Sequence, residues 1–270
     1  MSPRESREWI DQLNEDIPFV HLEKNAAEIK DVCERATALQ ESLVRKANAD
    51  GNNNNGDSNE DTLGVTAALK VINELLEVDR QVVSWRSNPH WAYKTIPVSD
   101  FPTFGLDPAV APLTDVVALH ADIWMIYEWN YHRTSRTIVH EQLIRCIDAL
   151  LSSSSPAAGT PDAATATVLR DISRHSLATV HSLAEQILAT VPQSFGDIDH
   201  MGRVHDQERL GPPRGRGIGG YMLLWSIKVM CSPGAMTTAD QKRRGKIVFE
   251  RIREYTGMKS HLGDASRIIQ

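Results

Sequence analysis

The chain reads as an all-α protein, a single multi-helix domain built around one long central helix. Three observations predict this. Nearly every periodic stretch of the 270 residues repeats its apolar positions at three- and four-residue intervals, the spacing of one helix face. Alternation of apolar and polar residues, the mark of a half-buried strand, is almost absent. One apolar stripe (Leu119, Ile123 and Ile126, then Ile144, Ile147 and Leu151) keeps a single helical phase through the middle of the chain.

In order, the first helix is expected at 4–14, where Met1-Ser2-Pro3-Arg4-Glu5 leads into acidic amphipathic sequence. Helical periodicity then covers 22–47 and 61–84. The longest stretch, 107–151, contains the central helix of 115–151; Pro108 and Pro112 suit the start of a helix better than its interior. Further helices are expected at 162–191, at 218–231 around the apolar run Tyr221-Met222-Leu223-Leu224-Trp225, at 238–257 and at 259–269. Between them, Asp50–Ser58 and Ser152–Gly159 are polar low-complexity tracts. They predict a disordered loop at about 50–60 and a flexible one at about 152–161 within one domain spanning 1–270. Ser87–Asp107 differs. It carries Trp91, Tyr93, Phe101 and Phe104 among prolines, as an ordered arm pinned by aromatics would. Phe195–Gly220 is long, glycine-rich and charged, and 195–219 is a candidate lid.

Hydrophobic content of 41% and charged content of 24% are ordinary globular values. The formal net charge is -6. From Asp197 onward thirteen Lys/Arg face eight Asp/Glu, a dilute excess that suits pairing with the acidic first part rather than a basic nucleic-acid face. Direct nucleic-acid binding is therefore not expected. The three cysteines, Cys33, Cys146 and Cys231, lie far apart in apolar patterns and read as buried free thiols of a reducing compartment. No signal peptide is visible and the longest apolar run is too short to span a bilayer, so an intracellular, cytoplasmic protein is expected.

The chemistry-bearing stretch is Trp129-Asn130-Tyr131-His132-Arg133-Thr134-Ser135-Arg136-Thr137-Ile138-Val139-His140-Glu141. Carrying the apolar phase through it places Asn130, Arg133, Thr137 and His140 on the inward face. A purely packing helix would carry Leu or Val there, because an unpaired buried polar group costs about 1–3 kcal/mol. Either these residues satisfy one another in the core, or Arg133, Arg136 and His140 are the catalytic set of a pocket and Asn130 helps bind its ligand. In the pocket reading the arginines orient a carbonyl or carboxylate and His140 carries a proton. The aromatics Trp85, Trp91, Tyr93, Trp124, Tyr127, Trp129, Tyr221 and Trp225 are candidate walls of an apolar cavity, though ordinary packing explains any one of them alone.

Other motifs point to little chemistry. His200 and His205 with Asp197, Asp199 and Asp206 lack metal-ligand spacing, and Asp-Ile-Asp-His reads as a solvated turn. Gly215-Arg216-Gly217-Ile218-Gly219-Gly220 follows no strand and has no Gly-Lys-Ser/Thr ending, so it reads as a flexible approach to the Tyr221 helix. No nucleophile-elbow or cofactor motif is present, and neither metal nor cofactor is expected.

The ordered series of motifs resembles the C-terminal part of the regulatory, ligand-sensing region of fungal binuclear zinc cluster (Zn2Cys6) transcription factors. The pieces are Leu76-Glu77-Val78-Asp79-Arg80-Gln81-Val82-Val83-Ser84-Trp85 and Pro89-His90-Trp91-Ala92-Tyr93, then Trp129-Asn130-Tyr131-His132-Arg133 with Arg136 and His140-Glu141. Ala189-Thr190-Val191-Pro192, Gly219-Gly220-Tyr221-Met222-Leu223-Leu224-Trp225 and the closing helix Gln241 to Met258 follow. The resemblance covers roughly 65–270 and implies an all-helical domain that senses small molecules. Three scattered cysteines cannot build the six-cysteine cluster, so the resemblance does not extend to DNA binding.

Two functions follow as expectations. One is a stand-alone small-molecule-binding protein of fungal secondary metabolism: a cofactor-independent cyclase or isomerase, pericyclic ring closure included, acting on an apolar substrate. The other is a regulatory ligand-binding domain, with a nuclear location. A homodimer is compatible with either.

Overall fold

The computed structural model describes residues 18–50, 58–84, 91–101, 113–152, 161–205, 210–211 and 215–257. The helices expected at 4–14 and 259–269, Trp85, Phe104 and most of both polar tracts lie outside the described residues.

The protein is all-α. Its helices are α1 (Pro18–Asp50), α2 (Ser58–Ser84), α3 (Ile123–Ser152), α4 (Ala163–Ala189), the single turn α5 (Val191–Ser194), α6 (Arg216–Cys231) and α7 (Ala239–Thr256). Among the described residues the only sheet pairs two short antiparallel strands, β1 (Lys94–Pro97) and β2 (Val116–Leu119).

The sheet corrects the expectation that the central helix begins at 115. Val116 and Val117 are β-branched and suit an extended pleat, and their partner is the aromatic arm that precedes them. The long helix starts only at Ile123, where the Asp122 carboxylate accepts from the Met125 amide at 2.8 Å and caps the first turn. The helix expected over 162–191 ends at Ala189 and resumes as one turn at Val191, where Pro192 removes an amide donor. The end of the chain follows its sequence signals closely. Thr238 and Gln241 form a reciprocal capping box at the start of α7, and Gly257, at φ 68°, stops it in the left-handed region that glycine tolerates.

The contacts divide the chain into two compact units: Met1–Trp85 with Ile138–Thr179, and Arg86–Thr137 with Val180–Gln270. The first has its own core, in which Ile29, Val32 and Ala36 of α1 meet Ala68, Ile72, Leu75, Val78 and Val82 of α2. Val139, Leu143, Cys146, Ile147 and Leu150 of α3 complete it. Burying each large aliphatic side chain contributes about 1.5–3 kcal/mol.

The core of the second unit joins Ile187 and Leu188 of α4 and Phe195 to Leu223, Ile227 and Met230 of α6 and to Val248, Phe249 and Ile252 of α7. Gly219 lets α6 approach α5: a Cβ there would lie 1.7 Å from the Ser194 carbonyl oxygen. The glycine pair expected to give flexibility is thus a close packing contact inside a helix. The candidate lid of 195–219 also begins in the core, with Phe195 and Ile198 fully buried and Asp197 paired to Arg251 at 3.1 Å and Arg216 at 3.5 Å.

Burial pushes the Cys33 and Cys231 thiols up to about 11 and raises that of Cys146 as well. All three are free thiols.

Candidate functional site

The second unit gathers a cation and four flat rings, and the small sheet positions two of them. Lys94 pairs with Leu119 at the end of the ladder, so Tyr93 and His120 occupy the next register position on each chain. Their rings stack with centroids 4.7 Å apart and planes 13° from parallel. The Gln193 carboxamide fixes the His120 backbone from both sides, accepting from its amide and donating to its carbonyl, each at 2.8 Å.

Helix α3 supplies the remainder. Trp129 meets Tyr93 edge to face at 5.0 Å, and its indole N–H donates to the Trp91 carbonyl at 3.1 Å, tying the helix to the arm. One turn on, the Arg133 guanidinium carbon lies 5.2 Å from the Tyr93 ring centre and 5.0 Å from that of Trp129. The i, i+4 spacing of Trp129 and Arg133 makes this contact possible. His132, also buried, presents its ring perpendicular to Trp129 at 5.8 Å.

Arg133 is 1% exposed. Its Nη1 donates to Asn130 Oδ1 at 3.0 Å and its Nε to Gln186 Oε1 at 3.4 Å; the Tyr93 phenol lies beside the guanidinium, and among the described residues Nη2 makes no well-aligned hydrogen bond. Asn130 is itself oriented, its amide donating to the Thr190 hydroxyl at 2.8 Å. Burial lowers the Arg133 pKa below the ordinary arginine value, and Tyr93 opposes that shift. The other buried or nearly buried arginines of this unit each have a carboxylate: Arg251 and Arg216 share Asp197, and Arg244 has Glu185. Arg133 meets amide oxygens and aromatic faces instead. Removed from water, such a guanidinium is a strong donor to a carbonyl or to a negative oxygen.

Of the residues expected from sequence, Trp91, Tyr93, Trp129, Asn130 and Arg133 therefore come together. Arg136 is half-buried on the same helix. His140 belongs to the first unit, where its Nε2 lies 3.4 Å from Asp79 Oδ2. Trp124, Tyr127, Tyr221 and Trp225 are exposed, at 63%, 36%, 61% and 38%. Tyr127 and Trp225 pack with Tyr131, whose ring lies 4.8 Å from that of Trp225 and 6.3 Å from that of Tyr127. A narrow gap lined by Thr134, Thr137, Ala184, Ile187, Ser226, Val229, Met230 and Thr237 does not admit a water-sized sphere.

His120, Gln186 and Gln193 were missed from sequence. His120 becomes visible only once β2 is recognised, since the register alone brings it to Tyr93. The glutamines sit on α4 and α5 and no local pattern marks them. Asp197 and Asp199, weighed as metal ligands, bind arginines: Asp197 as above and Asp199 with Arg203 at 2.7 Å.

No family model, curated protein or solved structure matches the chain. The chemistry of the site therefore rests on its own residues.

Proposed function

We propose that the protein is a small-molecule-binding helical protein of fungal secondary metabolism that acts as a cofactor-independent cyclase or isomerase on an apolar, unsaturated carbonyl compound. The observation that carries this reading is the buried Arg133 guanidinium, held between Tyr93 and Trp129 without a carboxylate of its own. A donor fixed before the reaction and shielded from water stabilises an enolate-like oxygen as charge develops on it, typically by about 2.7–4 kcal/mol per donor. Aromatic walls hold a conjugated chain in the folded conformer that ring closure requires. His120, stacked on Tyr93, is the imidazole placed for proton transfer; His140 has Asp79 as its partner.

A specific observation favours a second reading, that of a regulatory domain. Trp124, Tyr127 and Tyr131 recur at i, i+3, i+7 on α3, and Ile218, Tyr221 and Trp225 do the same on α6. Exposed apolar groups of this kind mark interaction surfaces. Deleting the gene in its host, with metabolites and pathway transcripts profiled together, separates the two. Accumulation of an uncyclised precursor at normal transcript levels supports catalysis. Uniform loss of the transcripts contradicts it and supports regulation.

A further inference from the structure

We infer that the ligand of the Arg133 site is an anion: a flat, conjugated carboxylate, or the enolate of a 1,3-dicarbonyl, that brings to the buried guanidinium the negative charge the described residues do not supply. This inference deepens the small-molecule reading above and rests on it.

Three features converge. The guanidinium is 1% exposed, so water does not solvate its charge. Its polar contacts are the amide oxygens of Asn130 and Gln186, which are dipoles rather than charges, and the Tyr93 phenol beside it. The contrast lies within the same unit, where Arg216, Arg244 and Arg251 each reach a carboxylate within 3.5 Å. Among the described residues Nη2 has no well-aligned acceptor and only the neutral Tyr93 phenol beside it, next to an Nη1 whose acceptor, Asn130, is neutral. The two nitrogens of one edge therefore match the two oxygens of a carboxylate or a chelating enolate, with Asn130 Oδ1 giving way and Asn130 keeping its bond to Thr190.

The rings select what is attached to the anion. Tyr93 and Trp129 lie against the guanidinium and are only half-buried, so they are the parts of the site that solvent reaches. A planar π-system stacks on such rings, and a branched aliphatic acid does not.

The test compares cinnamate with its neutral isostere cinnamamide, titrated against the purified full chain at pH 7 and followed by tryptophan fluorescence and by melting temperature. Cinnamate is expected to bind saturably and at least about tenfold more tightly than cinnamamide. That preference should vanish in Arg133→Met and Arg133→Gln and persist in Trp225→Ala, a change on the exposed aromatic face. The wild-type comparison needs no variant, so it stands even if a substitution fails to fold. Equal affinities, no binding of either probe at millimolar concentration, or an unchanged preference in Arg133→Met each overturn the inference. Arg133-dependent binding of cinnamamide alone overturns the anion while leaving the carbonyl reading intact. Failure of that broader reading is seen separately, in the metabolite profile.

Discussion

Replacing Arg133 with Met separates a binding cation from a structural one, and the two outcomes differ in size. Met keeps much of the side-chain volume beside Tyr93 and Trp129. The change removes one good hydrogen bond to a neutral oxygen, a second that is long at 3.4 Å, and two cation–π contacts. At about 1.5–3 kcal/mol for the charged hydrogen bond and about 0.5–2 kcal/mol for each ring contact, the loss is roughly 2.5–7 kcal/mol. Against it stands the removal of a buried charge, whose desolvation costs several kcal/mol even after the surroundings relax. Among the described residues no carboxylate is left behind, so the two sides nearly cancel and stability changes by at most about 1.5 kcal/mol in either direction. Arg251→Met is the internal control. It takes from Asp197, 2% exposed, the nearer of its two arginines and leaves Arg216 at 3.5 Å, and should cost about 3–5 kcal/mol. In thermal melts followed by circular dichroism, at roughly 2–4 °C per kcal/mol, Arg133→Met should shift the midpoint by only a few degrees and Arg251→Met by roughly 6–20 °C. If Arg133→Met costs as much as Arg251→Met, the guanidinium is a structural member of the core and the proposed site is wrong.

Other outcomes follow from the packing and the titratable groups. Gly219→Ala should destabilise by about 3 kcal/mol or more in urea unfolding, because the added methyl meets the Ser194 backbone rather than a movable side chain. Thr238→Ala should cost about 0.5–2 kcal/mol in the same assay, the value of one N-cap, and Trp124→Ala, at a residue 63% exposed, at most about 0.5 kcal/mol. Cys33 and Cys231 have folded pKa values near 11 against an ordinary 9.0, so the native state favours their neutral thiols. That contribution to stability is complete below pH 9 and is lost as pH rises from about 9 through about 11; chemical denaturation across that range, and slow alkylation of the folded protein at pH 7, check it.

What the sequence made legible followed from local rules. The helical periodicity over 61–84 and 238–257 locates α2 and α7 to within a few residues, and Ala68, Ile72, Leu75, Val78 and Val82 are the residues by which α2 enters its core. The inward phase of Asn130 and Arg133 was equally visible, and both are buried. Non-local pairing was not legible. Val116–Leu119 was absorbed into a helical stripe because Leu119 happens to share the phase of Ile123 and Ile126; only its pairing with Lys94–Pro97 makes it a strand. His140 illustrates the same point. A shared helix face says nothing about which neighbour each residue meets, and His140 meets Asp79 on α2. The aromatics behaved likewise, since composition marks Trp124 and Trp129 equally while only Trp129 has Trp91 and Tyr93 beside it.

The most direct test of Arg133-dependent chemistry is replacement of the native gene by an Arg133→Met allele in its host, with metabolites, transcripts and protein level measured together. With protein and transcripts at wild-type levels, the allele should accumulate the same precursor as the gene deletion and lose most of the product. Wild-type product from a stably folded Arg133→Met protein would contradict the account.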